Sequence, residues 1–350
     1  MATRWGTIGC GAVCEVKSGP AFYKCKDSEL VIVMRRDRAR AADFAQRHRV
    51  ASFTDDARFV IEHPEVDAVY VATPPGSHLE YALATAACGK PCYVEKPMAR
   101  NLRECQQMVE AFEAKNLPLF VAYYRRSLPR FSWIRQLIEE GRLGAVRSVS
   151  HVYQGRGRQR EEPGADPPLA GWREDVAQSG GGLFVDLGSH VLDLIDFLFG
   201  PLDSVQGHAR RRARQPNTAI PEDTVAASFS TGSGALGTLT YSFHTVEAID
   251  RMEIVGDHGR LVFSVFGTEP IECHFAQGPT TMAPPHPEHV QQPLVQSIVD
   301  QLQQRGPGCP STGRTALGAS AAMDRILEGY YGSRDDEFWN RPSTWPGNQI

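Results

Sequence analysis

The stretch Trp5-Gly6-Thr7-Ile8-Gly9-Cys10-Gly11-Ala12-Val13-Cys14 decides how the first third of the chain is read. A short apolar run ends in a glycine-spaced turn, and a helical pattern continues toward Phe22. Gly9 permits a tight turn, and Gly11 lets the backbone come close to a pyrophosphate. Ala12 and Val13 lie in the same turn, where the first N–H groups of a helix attract phosphate charge. Position 14 needs a small residue for helix–sheet packing, and cysteine is still small, though the usual residue is glycine. The reading is a dinucleotide loop; its alternative is a plain strand–turn–helix corner.

Outward from this turn, apolar runs alternate with helical patterns. Strands are expected at Leu30 to Met34, Val50 to Phe53, Asp67 to Ala72, Pro91 to Val94 and Leu117 to Val121. Helices are expected at Ala39 to Arg47, Asp55 to Ile61, Leu79 to Ala87 and Leu102 to Lys115. The run Asp67 to Ala72 is almost continuously apolar, as a parallel strand buried on both faces requires. Strands alternating with helices imply right-handed crossovers and a doubly wound parallel sheet, an α/β Rossmann domain over 1–123.

Three further groups fall at the carboxyl ends of those strands, where open α/β sheets bind ligands. After the second strand comes Arg35-Arg36-Asp37. NAD sites place an acid there for the ribose 2′-hydroxyl, whereas Arg35, with Arg36 beside it, suits a 2′-phosphate. Asp37 is expected to cap the next helix. After the fourth strand comes Thr73-Pro74-Pro75-Gly76-Ser77-His78, and after the fifth Glu95-Lys96-Pro97. The chain has six lysines against 31 arginines, so a lysine at the cleft edge points to chemistry that arginine cannot perform. Later, Gly180-Gly181-Gly182 opens a helical pattern in which Asp186 and His190 lie one turn apart on one face. Such a pair can move a proton, with Asp186 orienting or polarising His190.

Taken in order, these motifs make the chain resemble the Gfo/Idh/MocA oxidoreductase family, the group of glucose-fructose oxidoreductase and inositol dehydrogenase. It is also similar to the branch holding 1,5-anhydrofructose reductase and dihydrodiol dehydrogenase. The resemblance implies a Rossmann domain followed by an α/β domain on a large open, mostly antiparallel sheet. It also implies a nicotinamide cofactor and oligomers formed through the open sheet face. By position, Lys96 matches the family's catalytic lysine, and Asp186 and His190 match its acid and histidine beside the substrate. Thr73, Pro74, His78 and Glu95 fall in cofactor-contacting loops, and Trp172-Arg173 resembles a pair that reaches the cofactor. Tyr124-Arg125-Arg126 matches a segment lining the same cleft, with Arg126 a substrate contact. Arg35 departs from the acid of NAD-preferring members and favours NADP, with NAD as the alternative.

Beyond residue 123 the pattern changes, so 124–350 is expected to form the substrate-binding and oligomerisation domain. Phe131 to Glu140 reads as a helix and Val146 to Tyr153 as a strand. Strand-like runs at Val205 to Ala209, Thr224 to Ser230, Ala235 to Phe243, Arg251 to Val255, Arg260 to Phe266 and Ile271 to Phe275 suggest an antiparallel meander with one free face. Late helices are expected at Val290 to Gln303 and Ala316 to Glu328. Gln154 to Gly171 reads as a lid or surface insertion, and Gln277 to Pro293 as a surface loop with His286 and His289 solvated. The aromatics of the tail, Phe338, Trp339 and Trp345, suggest docking on this chain or a partner.

The formal net charge of −4 argues against a general nucleic-acid binder, and Arg210-Arg211-Arg212-Ala213-Arg214 reads as a solvated strand end or loop. No apolar run reaches the ~20 residues of a membrane span, and the start lacks an apolar leader. The eight cysteines form no Cys-x-x-Cys pair and no metal spacing with histidine. They read as reduced, mostly buried thiols of a cytoplasmic protein, with no metal site expected.

The leading functional expectation is hydride transfer between nicotinamide and a sugar-like or cyclic polyhydroxy alcohol–ketone pair, in a homodimer or homotetramer. Whether Lys96 or His190 exchanges the proton stays open. The alternatives are a redox-assisted glycosidase or lyase on the same fold and a non-catalytic cofactor-binding regulator.

Overall fold

A computed structural model describes residues 2–156, 171–211 and 220–349. The chain divides into two compact units, Met1–Leu128 with Pro287–Leu317 and Pro129–His286 with Gly318–Ile350.

In the first unit, strands β1 (Thr3–Ile8), β2 (Ser28–Met34), β3 (Ser52–Thr54), β4 (Ala68–Val71), β5 (Cys92–Val94) and β6 (Leu119–Val121) form one sheet in the order β3-β2-β1-β4-β5-β6. Every pair in it is parallel. The strand order reverses between β1 and β4, so the loops after these two strands share the crevice that such a reversal creates. The helices are α1 (Gly19–Lys24), α2 (Arg38–His48), α3 (Ala57–Glu62), α4 (His78–Ala87) and α5 (Leu102–Glu113). Asp37 caps α2 as expected, its carboxylate accepting from the Arg40 N–H. Asn101 does the same for α5 through the Glu104 N–H. Trp5, Phe22, Tyr70 and Tyr93 pack together as a buried aromatic cluster, with ring centroids 4.9–5.0 Å apart between successive partners.

In the second unit, α6 (Pro129–Glu139) and β7 (Val146–Arg156) precede the short α7 (Val176–Ser179) and the long α8 (Leu183–Phe199). The strands that follow are β8 (Leu202–Arg210), β9 (Thr224–Thr231), β10 (Leu236–Thr245), β11 (Ile249–Gly256), β12 (Gly259–Phe263), β13 (Ile271–Phe275) and β14 (Gly278–Met282). They form a sheet in the order β14-β13-β12-β11-β7-β10-β9-β8, antiparallel except where β7 meets β10. The expected single meander is therefore split, because β7 sits between β10 and β11. Along β9 and β10, buried and exposed residues alternate, so one face packs and the other is open.

Two expectations need correction. The stretch from Gln277 to Pro293 is not all loop, since β14 pairs with β13. Most of β14 is exposed and it carries no apolar alternation, the pattern that marks a half-buried strand. The domain division is also not sequential. After β14 come α9 (Gln292–Leu302), α10 (Gly313–Tyr331) and α11 (Pro346–Gln349), and residues 287–317 belong with the first unit. There α9 packs against α1, burying Leu294, Val295, Ile298 and Val299, and Thr312 bridges to Phe120. Apolar burial of this kind overrides chain order.

The tail docks on its own unit. Trp345 and Phe338 are buried against Tyr331, with centroids at 4.8 and 5.1 Å. Most of the arginine run and of the 154–171 segment lies outside the described residues.

Candidate functional site

The turn after β1 is shaped by its glycines. Gly9 has φ +94°, and an added Cβ would lie 2.8 Å from the Thr73 side chain and 2.9 Å from the Ala72 backbone. The first and fourth strand ends are thus locked together by the absence of a side chain. Over Gly11 there is open space: an added Cβ meets only the Gly9 carbonyl, at 3.9 Å. Cys14 is buried and its thiol faces the Gly9 carbonyl at 3.7 Å, so the third position of the spacing does hold a small packed residue.

Helical structure runs over 12–24, with a π-helical turn at Cys14–Ser18. The cause is local. Pro20 offers no N–H to the Val16 carbonyl, and the Gly19 N–H reaches back to the Cys14 carbonyl instead. His289 takes up the slack. Its Nδ1 lies 3.2 Å from the Val16 carbonyl, while its Nε2 lies 2.6 Å from the Lys24 ammonium. A neutral ring serves both contacts, donating from Nδ1 and accepting at Nε2. His289 is therefore a packed tie between segments, not the solvated side chain expected.

Arg35 follows β2 directly. It is half-buried, and its Nη1 donates to the Cys10 carbonyl at 3.4 Å, which brings the guanidinium over the glycine turn. Arg36 beside it is exposed. On the same helix as the turn, Glu15 is gripped by Arg47 at 2.7 Å and faces His48 at 3.0 Å; these partners pull its carboxyl down to about 2.

The loops after β4 and β5 are tied by a buried histidine. The His78 Nε2 lies 2.7 Å from the Thr73 carbonyl, and its Nδ1 lies 3.1 Å from the Pro97 and Met98 carbonyls. Burial lowers its pKa. Thr73 Oγ1 accepts from Ser77 at 2.8 Å, and Pro74 remains half-buried. Lys96, in the loop after β5, is half-buried. Glu95 is buried in a hydrogen-bonded network. It accepts from the Tyr70 hydroxyl at 2.7 Å, the Gln291 amide at 2.6 Å and the Lys96 N–H at 3.2 Å. Arg126 belongs to this first unit, where its buried guanidinium reaches the Pro310 carbonyl at 3.5 Å.

The second unit gathers its own set on α8. Gly180 ends α7 in the left-handed conformation, and a Cβ on Gly182 would lie 2.6 Å from the Glu222 carbonyl. These glycines let the start of α8 press against Glu222, whose buried carboxylate accepts the Gly182 N–H and the Tyr331 hydroxyl. Burial raises the Glu222 pKa. The helix is buried on nearly all sides from Gly188 to Ile195. Asp186 keeps its head partly accessible and accepts from Arg173 Nε at 2.9 Å; Arg173 in turn lies over the Trp172 ring at 4.5 Å. His190 is buried and packs edge-on to Phe266, with centroids at 6.3 Å.

Sequence reading missed the supports of both sets. Phe266 is pinned because Asp250 accepts its N–H at 2.6 Å, the Val265 N–H at 3.2 Å, the Ser264 hydroxyl and His151 Nε2 at 3.0 Å. These hydrogen bonds hold the Asp250 carboxyl below its ordinary range against the pull of burial. Gln291, Tyr70 and Asp250 sit in ordinary apolar or polar runs, with no motif to mark them. Among the described residues, no three His, Cys, Asp or Glu side chains converge as a metal site, and no helix is long and apolar enough to cross a membrane. The eight cysteines are free thiols, and all but Cys88 are buried.

The geometry agrees with what the chain is similar to. The family model for the NAD-binding Rossmann fold of an oxidoreductase family matches residues 3–123, and that for the Gfo/Idh/MocA C-terminal domain matches 131–262. Oxidoreductase P35 of Formosa agariphila is 37% identical over 84% of this chain and 89% of its own length. Inositol 2-dehydrogenase of Rhizobium meliloti is 26% identical over 93% of this chain and 96% of its own. A levoglucosan dehydrogenase solved in complex with NADH and levoglucosan has the same fold, with TM-score 0.81, 24% identity, and coverage of 94% of this chain and 97% of that one. A parallel sheet with a glycine turn at its strand-order reversal, followed by a large mostly antiparallel sheet, places the chain in the Gfo/Idh/MocA family of NAD-binding oxidoreductases.

Proposed function

We propose that this protein is an NADP-preferring dehydrogenase or reductase acting on a sugar-like or cyclic polyhydroxy alcohol–ketone pair. The observation that carries the cofactor preference is Arg35. It stands where an acid would read a free ribose, and its guanidinium already leans over the glycine turn. The space over Gly11 and the N-terminus of the helix at residue 12 fit a pyrophosphate. Gly9, Gly11, Ala12, Val13, Arg35, Arg36, Thr73 and Pro74 would hold the dinucleotide, with Trp172 and Arg173 as further contacts. His78 and Glu95 would serve by fixing the loops, since both are buried on internal partners. The bound nicotinamide supplies the hydride acceptor or donor.

The protein's own groups handle the substrate hydroxyl. In this reading Lys96 and His190 hold and move its proton, Lys96 steadies the developing alkoxide, and Asp186 orients the substrate with Arg126 as a further contact. The substrate class rests on the relatives named for inositol and levoglucosan. The open face of β9 and β10 supports assembly as a homodimer or homotetramer, and the free thiols support a reducing, cytoplasmic setting. Titrating NADP+ and NAD+ into the protein tests the preference. NADP+ binds more tightly and with the steeper salt dependence; equal affinity, or tighter NAD+, removes it.

A further inference from the structure

We infer that Gln291 and Tyr70 are positioning residues for Lys96. The inference rests on the proposed role of Lys96 and deepens it. Directly beneath the Lys96 loop lies a hydrogen-bonded chain of buried groups. Tyr93 OH donates to Gln291 Oε1 at 2.7 Å, and Gln291 Nε2 donates to Glu95 Oε1 at 2.6 Å. Tyr70 OH lies 2.7 Å from the same Glu95 oxygen and 2.9 Å from Ser18 Oγ. Tyr70 has one proton, so it donates to the carboxylate and accepts from the Ser18 hydroxyl. The other Glu95 oxygen takes the Lys96 N–H at 3.2 Å.

The two ends of the chain matter. Ser18 closes the π-helical turn that follows the phosphate-facing glycines, and Lys96 carries the proton chemistry. A buried carboxylate has few ways to sit when several donors fix it, so the lysine backbone inherits its place from Glu95. Gln291 reaches this network from 196 residues away in sequence, 1% exposed, which gives the returning segment 287–317 a functional purpose.

The test replaces Gln291 with methionine, which keeps length and volume and removes both hydrogen bonds. Two readouts are used on the full-length protein. The first is turnover with NADP+ and levoglucosan or myo-inositol as probes. Gln291→Met lowers kcat about 10- to 100-fold with little change in KM for the cofactor, as misplacement of a catalytic group does. The second needs no substrate: acetylation of the six lysines at low reagent, read by mass spectrometry. Lys96 acetylates at least about threefold faster in Gln291→Met, relative to the other five, because its loop opens more often. Tyr70→Phe acts in the same direction, and the double variant loses little beyond the worse single one. Unchanged Lys96 labelling in a variant that only melts earlier makes the network structural and overturns the inference. Absent turnover in the native protein with both probes counts against the proposed substrates alone, since the labelling result stands without it.

Discussion

The loops at the carboxyl edge of β4 and β5 and the helix α8 set their residues in different surroundings. The loops are tied by polar contacts between buried groups: the His78 ring lies between the Thr73 carbonyl and those of Pro97 and Met98 and donates from one of its nitrogens, and Glu95 accepts from Tyr70, Gln291 and the Lys96 N–H. On α8, Val191, Leu192, Leu194 and Ile195 are buried, and Asp186 meets Arg173 near solvent. Buried hydrogen-bond networks specify one arrangement, because each broken bond leaves a group unsatisfied at about 1–3 kcal/mol. Apolar packing tolerates changes of neighbour more easily. On the function proposed above, the first manner suits a ligand of constant shape, as a dinucleotide is, and the second a substrate that differs among relatives.

The largest expected effects fall on Lys96 and His190, the two residues proposed to handle the substrate proton. Lys96→Met and His190→Ala should each lower turnover by about 10²–10⁴-fold. The double variant should lose little more than the worse single one, since residues acting as a unit are non-additive. Initial rates with NADP+ and a sugar or cyclitol that the native protein turns over check this, and fully additive losses would separate the two regions functionally. Next comes Arg35→Asp, which should weaken NADP(H) about 10- to 100-fold and spare NAD(H), by loss of a charge-assisted contact to phosphate. Parallel titrations at low and high salt read it.

The two regions should also answer pH with opposite signs. The folded pKa of His78 lies below its ordinary 6.5 because burial disfavours the charged ring. Its contribution to stability is present above that value and is lost as pH falls through the folded pKa. Glu222, beneath the start of α8, has a folded pKa above its ordinary 4.5 through burial. Its contribution is present below 4.5 and is lost as pH rises through the folded pKa. Urea unfolding between roughly pH 4 and 8 should therefore show Glu222→Gln gaining on the native protein as pH rises. A gain that is independent of pH would remove Glu222 from this account. The smallest effect belongs to Arg173→Ala. Its ion pair with Asp186 is 42% exposed on the arginine side, so stability should change by less than about 1 kcal/mol. A larger loss in thermal unfolding would mean that α8 depends on its polar rim more than on its apolar body.

Much of the first region was legible in the sequence because its signals are local. The Gly9–Gly11 spacing, the apolar run ending at Ala72 and the Asp37 cap each act within a few residues, and each stands where expected. Gln291 could not be read that way, since its partners Tyr93 and Glu95 lie almost two hundred residues earlier. In the second unit the alternation of β9 and β10 was plain, yet the insertion of β7 between β10 and β11 was not. Strand neighbours are chosen by contacts such as His151 to Asp250, which leave no periodicity in either segment. The exposed edge strand β14 escaped for a related reason: an edge with little to bury needs no apolar pattern.

The most direct test of the central claim is the near-ultraviolet absorbance of reduced nicotinamide in purified protein given NADP+ and a panel of sugars and cyclic polyols, native and Lys96→Met side by side. The account predicts formation of NADPH with at least one member of the panel, slower with NAD+, and nearly abolished in Lys96→Met while cofactor binding persists. Tight cofactor binding with no reduction across the panel, in either direction of the reaction, would contradict it.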